Sequence, residues 1–142
     1  MSGARPSGAR RKARRRAVEV LYEAEVRGIP VDEVIERRLA QPEPPINEFT
    51  ERLARSIDDR RARIDELLDD YAIGWTLERM PVVDRNILRM GAYELLWASD
   101  IPDGVAIAEA VGVAKELSTD ESPNFVSGLL SRLMENKATL AL

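Results

Sequence analysis

The sequence of 142 residues contains no cysteine and no histidine. Without cysteine there is no disulfide framework and no thiolate nucleophile. Without either residue the chain lacks the usual zinc ligands, and without histidine it lacks the commonest general base. These two absences remove disulfide scaffolds, thiol catalysis and ordinary zinc sites, and we expect neither a metal nor a cofactor.

Long apolar runs are also missing. No stretch approaches the roughly 18 apolar residues that a membrane-spanning helix needs, so we expect no membrane partner. The cations near the N-terminus are not followed by the apolar segment of a secretory signal, which predicts a cytoplasmic protein. Segments with the alternating period of a β-strand are absent too, and this favours an all-helical fold.

The charge is unevenly distributed along the chain. Residues 1–16 hold seven of the 21 cations and no acid, whereas the rest holds 14 cations and all 25 acids. The two parts therefore carry +7 and −11, although the whole chain carries only −4. A basic end on an acidic body favours one oriented binding surface over general adhesion to polyanions.

Residues 10–16 form the basic segment, in which six of seven side chains are cationic. It continues into a pattern with helical spacing. Ala13, Ala17, Val20, Leu21 and Ala24 share one face that can pack on a core. A second face carries Arg11, Arg15, Val18 and Tyr22, which we expect to point outward. Cations beside an aromatic ring suit RNA, because they neutralise phosphates and stack on bases. By itself the pattern leaves open a solubilising arm or a membrane-surface helix.

Turn signals divide the chain into helices. Gly28 and Pro30 end the first helix, predicted from Arg10 to Arg27, and a second follows from Val31 to Ala40. We predict an all-α single compact domain of about six or seven helices with short connections. We predict that the chain consists of a disordered basic arm over residues 1–9, the helical domain over residues 10–136 and a flexible tail over residues 137–142.

Five residues carry more local predictions. Asn47 and Ser122 are expected to cap the N-termini of the third and last helices. Gly91, within a helical pattern, predicts close approach of another helix, because glycine there otherwise costs about 1 kcal/mol. Trp75 and Phe125 are interpreted as core residues more readily than as ligand platforms.

Four segments, in this order and spacing, resemble the NusB family of transcription antitermination factors. The resemblance spans about Arg10 to Met134. The segments are the arginine-rich opening with Ala17-Val18 and Leu21-Tyr22; Ile64-Asp65-Glu66-Leu67-Leu68; Val83 to Arg89 with Tyr93-Glu94-Leu95-Leu96; and Ala106-Ile107, Glu109-Ala110-Val111 and Ala114-Lys115 with Ser122 through Gly128. One departure is Ser127, where the family often has asparagine; serine has less reach and leaves the preceding loop less constrained.

The resemblance implies a non-enzymatic helical protein. It implies binding of single-stranded boxA-type leader RNA of ribosomal operons together with NusE, a small-subunit ribosomal protein, within an RNA polymerase antitermination complex that reads through terminators. The positions it implies for RNA contact are Arg10, Arg11, Lys12, Arg14, Arg15, Tyr22, Glu121, Ser122, Asn124 and Phe125. Asp84 matches an acidic position of the NusE surface. Glu121 has two open interpretations, capping of the last helix or selection of the RNA.

Other functions remain as alternatives. A helical protein–protein interaction module without an RNA role would use the acidic body to hold a basic partner. NusB-like domains also precede rRNA cytosine methyltransferases, but this chain has no glycine-rich cofactor loop and no nucleophilic cysteine. A carboxylate-pair enzyme is disfavoured, because Glu109 and Glu116 are expected on a surface face without inward partners. The exposed apolar residues leave a homodimer open.

Overall fold

The computed structural model describes residues 8–41 and 46–142. Within these ranges the chain is helical and contains no strand, which confirms the predicted all-α class. Two short 3₁₀ helices, Leu77–Arg79 and Lys137–Thr139, accompany the α-helices. The described α-helices are α1 (Gly8–Arg27), α2 (Val31–Leu39), α3 (Glu48–Asp59), α4 (Arg61–Tyr71), α5 (Val82–Leu96), α6 (Asp103–Leu117) and α7 (Ser122–Glu135).

Helix α1 begins earlier than predicted. Gly8 and Ala9, assigned above to the arm, form its first turn, and residues 1–7 of that arm lie outside the described residues. The helix ends where the sequence indicates, since Gly28 adopts the left-handed backbone with φ of 68°. Glycine adopts this conformation without the steric cost of a side chain. The end of α1 is therefore determined locally.

The start of α3 and the junction between α3 and α4 also follow local signals. The Asn47 side chain accepts a hydrogen bond from the backbone N–H of Thr50 at 2.8 Å, which confirms the predicted cap. The polar stretch over residues 58–63 contains the break, at Arg60, where φ and ψ are −108° and 11°. At the other end of the chain, the tail is fixed in part by Arg63, whose Nε donates to the carbonyl of Ala141 at 3.1 Å.

Helix α5 lies at the centre of the bundle and packs against α1, α3, α4, α6 and α7. The predicted close approach at Gly91 is confirmed. A Cβ atom built there would lie 2.6 Å from Leu130 Cδ1 and 3.0 Å from Ala110 Cβ. Because these distances are shorter than van der Waals contact, glycine permits α5 to touch α6 and α7 together.

The core prediction for Trp75 is wrong. The residue is 43% exposed and lies in the connection between α4 and α5. The rings of Trp75 and Phe125 pack edge to face, with centroids 5.6 Å apart and an interplanar angle of 87°. Phe125 is partly buried and packs against the core. A tryptophan needs a deep interhelical space to be buried fully, and the sequence does not reveal where such space exists.

Candidate nucleic-acid interface

The basic segment presents its first cations on the surface of α1. Arg10 and Lys12 are exposed. The guanidinium carbon of Arg10 lies 4.3 Å from the centroid of the Phe49 ring, a cation–π contact that places this charge beside α3. These two side chains carry positive charge at an accessible end of the bundle, as an RNA surface requires.

Arg11 and Arg15 are each paired with α6. Arg11 donates from Nε and Nη2 to the two oxygens of Glu109, at 2.8 and 3.0 Å. Arg15 Nη1 donates to Glu116 Oε1 at 3.1 Å. About a third of each arginine side chain remains exposed, 32% and 30% respectively. Both guanidiniums are thus held against α6 while part of each faces solvent.

Gly112 makes the position of Arg11 sterically feasible. A Cβ atom at Gly112 would lie 2.0 Å from Nη1 and 2.2 Å from Cζ of Arg11. The guanidinium therefore lies directly against the backbone of α6, between Glu109 and Glu116. Glu109, Gly112 and Glu116 are spaced three and four residues apart, so they share one face of the helix.

The structure places Arg14, expected to contact RNA, inside the protein. Its residue exposure is 4%. Nε donates to both oxygens of Glu94, at 2.8 and 3.1 Å, and Nη1 donates to Glu109 Oε1 at 3.2 Å. A phosphate could reach Arg14 only by stranding buried carboxylates, which is strongly unfavourable.

The expectation that Glu109 lies on a surface face without inward partners is also wrong. Glu109 is 3% exposed and accepts hydrogen bonds from Arg11 and Arg14. The hydrogen bond from Arg11 lowers the pKa of Glu109 against the opposing effect of burial. For Glu94, burial raises the pKa, with Arg14 acting in the opposite direction. The inner carboxylates, Glu94 and Glu109, thus anchor α1 to α5 and α6.

Tyr22 points outward as predicted, and the residue is 43% exposed. Val18, expected on the same outward face, is instead fully buried in the core. Tyr22 borders a groove whose other walls include Val83 of α5 and Leu117 of α6. The structure therefore brings the aromatic ring of α1 next to the end of α6, from which the loop to α7 departs.

The loop between α6 and α7 differs from its prediction at Ser122. Glu121 occupies the N-cap position without a side-chain cap, and Ser122 is the first residue of α7. Ser122 is 4% exposed, and its Oγ donates to Asp84 Oδ2 at 2.9 Å. Ser118 Oγ donates to the other oxygen of the same carboxylate. The Ser122 hydroxyl therefore ties the loop to α5 and does not cap the helix.

Asp84 is accordingly buried, with 2% exposure, and is not an accessible surface acid. In this conformation a partner cannot contact its carboxylate directly, because both oxygens accept hydrogen bonds from the loop serines. Glu121 and Asn124, in contrast, are exposed, and Phe125 is half-buried. The accessible part of the predicted loop site is therefore reduced to Glu121, Asn124 and the exposed portion of Phe125.

The sequence interpretation missed the acids that hold the basic segment. Glu94, Glu109 and Glu116 lie about 80 to 101 positions away from the arginines they bind. The one available signal was the spacing of Glu109, Gly112 and Glu116 on a single helical face.

Within residues 8–41 and 46–142, no helix is both long and apolar enough to cross a membrane. The same part of the chain contains no group of three or more acids that could hold a metal ion.

Comparisons with known proteins agree with this architecture. Residues 11–135 match the model of the NusB family. The transcription antitermination protein NusB of Thermobifida fusca (strain YX) is 78% identical over 142 residues, covering 100% of both chains. The structure of T. maritima NusB is 34% identical, with a TM-score of 0.78 over 92% of this chain and 97% of that one.

A second solved structure, of antitermination factors NusB and NusE in complex with double-stranded RNA, shares the fold. Its TM-score is 0.78 at 24% identity, over 89% of this chain and 96% of that chain. The family match covers most of the chain, and the bacterial relative aligns along its whole length. The chain therefore belongs to the NusB family.

Proposed function

We propose that this protein is a transcription antitermination factor that binds single-stranded boxA-type leader RNA of ribosomal operons. It acts together with NusE, in the cytoplasm, and helps RNA polymerase read through terminators. The observation that carries the proposal is the basic face of α1, formed by the exposed Arg10 and Lys12 and the partly exposed Arg11 and Arg15. It is not an enzyme in this proposal, and its contribution is assembly of an RNA–protein complex.

The basic face supplies affinity. Each cation that neutralises a phosphate releases a counterion, and this gain is independent of base sequence. The face lies on an otherwise acidic molecule, which orients the RNA toward α1 and away from the rest of the surface. Arg14 has no part in this step, because it belongs to the buried ion pairs.

Base selection is assigned to the neighbouring surface. Tyr22 offers an exposed ring for stacking on an unpaired base. Glu121 and Asn124 are exposed at the start of α7, where a carboxylate can accept from a base amino group and an amide can both donate and accept. These contacts discriminate between RNAs, whereas the basic face does not.

The partner proposal rests on family membership. Because Asp84 is buried, we propose that its role toward NusE is indirect, through the position of the α6–α7 loop. A second RNA-binding surface on the partner would raise the affinity of the pair by multivalency without a new contact on this chain.

The decisive experiment is an RNA titration across salt concentration, with and without NusE. Fluorescence anisotropy would follow a labelled boxA-type oligonucleotide and a scrambled oligonucleotide of equal length. Replacing Arg10, Lys12 and Arg15 by alanine should flatten the slope of log affinity against log salt by roughly 0.7 for each lost phosphate contact. Glu36→Ala, an exposed position on α2, is the control and should leave the slope unchanged.

The same titration tests the alternative of a protein interaction module without an RNA role. In that case the triple substitution leaves the slope unaltered, and NusE is captured equally well after ribonuclease treatment. Preference for the boxA-type oligonucleotide that appears only with NusE present would support division of the site between the two proteins.

A further inference from the structure

Glu116 lies between the two partly exposed arginines of the basic segment. Its Oε1 accepts from Arg15 Nη1 at 3.1 Å, and its Oε2 lies 3.7 Å from Arg11 Nη1. The Glu116 side chain is 35% exposed. One partly exposed carboxylate thus engages both guanidiniums, and two oxygens of an RNA phosphate would offer the same charge and similar geometry.

Glu116 differs from the inner carboxylates in what its departure would cost. The side chains of Glu94 and Glu109 are 1% and 4% exposed, so separating either from its arginine would strand a buried charge. Glu116 can turn into water, and exposed ion pairs of this kind contribute little to stability. It is therefore the one acid of the three that a phosphate can replace without disturbing the core.

Arg11 keeps its place when Glu116 moves away. Arg11 remains bonded to Glu109 through Nε and Nη2, which leaves Nη1 to face an incoming anion. The Nε of Arg15 is buried, and no residue in the described part of the chain accepts its hydrogen. Arg15 Nη1 loses its acceptor when Glu116 leaves, and an arriving phosphate would replace that acceptor. The Arg11 guanidinium is therefore preorganised for a phosphate, and Glu116 is the group that a phosphate must displace from both arginines.

We propose that Glu116 is an intramolecular competitor for RNA phosphate that sets the affinity threshold of the basic face. The inference rests on the proposed function and deepens it. Glu116 occupies Arg11 and Arg15 in the free protein, and after displacement its charge stays close to the bound phosphate. Both effects weaken every RNA complex, so only an RNA with further contacts, to the α7 loop or to a partner, stays bound.

The test is Glu116→Gln, which keeps the shape of the side chain and removes its charge. Binding of a boxA-type oligonucleotide and of an unrelated single-stranded RNA would be measured across salt concentration. We expect both affinities to rise about fivefold at low salt, the effect of one unit charge a few ångströms away in water, and the gain to shrink as salt screens it. Unchanged or weaker binding would overturn the proposal, because Glu116 would then be idle or would help to position the arginines.

Two further variants separate the local charge from other causes. Glu135→Gln makes the same change in net charge at an exposed position of α7 that takes part in none of the ion pairs given for Arg11 and Arg15. We expect its gain in affinity to be smaller than that of Glu116→Gln, within about twofold of the wild type at about 0.15 M salt, where exposed charges more than about 8 Å apart are largely screened. Glu116→Asp keeps the charge and should also stay near the wild type. Equal gains in either variant and in Glu116→Gln would overturn the inference.

Inorganic polyphosphate, a polyanion without bases, distinguishes failure of this inference from failure of the proposed function. If the wild type binds neither RNA, the proposed function fails, and polyphosphate alone then decides the role of Glu116. Tighter polyphosphate binding by Glu116→Gln than by Glu135→Gln supports the competitor, whereas equal binding refutes it. Circular dichroism of each variant confirms that the compared proteins are folded.

Discussion

Replacing Arg14 by methionine would test whether this residue holds the bundle together or contacts RNA. Methionine keeps much of the length of the side chain but removes the charge that bonds Glu94 and Glu109. Breaking a buried ion pair by removing one partner typically costs about 3–5 kcal/mol. Glu109 keeps Arg11 as a partner, so Glu94 is the carboxylate left without the Arg14 Nε–H that both of its oxygens accept from. We therefore expect a loss near the lower limit, about 3 kcal/mol.

The pH dependence of this loss provides a second signature. Burial already raises the pKa of Glu94, and removal of Arg14 would raise it further. A carboxyl whose folded pKa lies above its unfolded value destabilises the fold as pH rises from the unfolded pKa through the folded one. The loss in Arg14→Met should therefore be smaller at about pH 5 than at about pH 8, because a protonated Glu94 is neutral.

Urea unfolding followed by far-UV circular dichroism would measure the stability, and RNA titration across salt would measure phosphate contacts. Lys12→Met, at an exposed position of the same helix, is the matched control. It should change the unfolding free energy by less than about 0.5 kcal/mol and flatten the salt slope by roughly 0.7. Arg14→Met should lower the unfolding free energy and leave the salt slope unchanged.

The double variant Arg14→Met with Glu94→Met should recover about 1–2 kcal/mol relative to Arg14→Met alone, since no carboxylate is then stranded beside the methionine. The reasoning is refuted if Arg14→Met has wild-type stability and a flatter salt slope. That result would mean that Arg14 leaves its carboxylates in solution and binds phosphate.

The remaining predictions concern other parts of the bundle. Gly91→Ala should destabilise the protein by about 2 kcal/mol through overpacking, whereas Gly128→Ala, whose new Cβ would lie 3.6 Å from its nearest neighbour, should be neutral or stabilising; thermal unfolding of the pair checks this. Glu25 has its pKa lowered to about 2, since hydrogen bonds from arginines outweigh the opposing effect of burial. Its contribution is present above the unfolded pKa and disappears as pH falls through about 2, so Glu25→Gln should remove about 1–2 kcal/mol at neutral pH and reduce the acid sensitivity measured by urea unfolding at several pH values. Ser122→Ala should cost about 1–3 kcal/mol by leaving the buried Asp84 oxygen without its donor, and hydrogen exchange should detect a looser α6–α7 loop.

Much of the fold could be predicted because its signals are local. The positive φ at Gly28 and the side-chain cap of Asn47 involve residues within one turn of each helix end. Gly91 also indicated a tertiary contact, since glycine within a helix lowers stability and close helix packing can offset that loss. The faces of α1 were correct for its alanines, but Val18 is buried where an outward position was predicted.

The candidate site was predictable only in part. The positive charge of the basic segment and the exposure of Tyr22 follow from composition and spacing. The burial of Arg14, Glu109 and Ser122 does not follow, because each depends on a partner at least 38 positions away. Trp75 is exposed although burial was predicted, since its exposure depends on how closely neighbouring helices meet.

The sequence by itself determined the helices, several of their ends and the separation of a basic segment from an acidic body. These properties depend on backbone preferences, side-chain period and covalent order, which act over a few residues. Tertiary packing alone decided which cations remain available, because a long arginine side chain reaches whichever carboxylate the fold brings near. It buried Arg14 between the inner carboxylates, held Arg11 against Gly112 and placed Glu116 over Arg11 and Arg15. The sequence therefore determined the positive charge of the basic segment, but the packing of α1 on α5 and α6 decided how much of that charge is accessible.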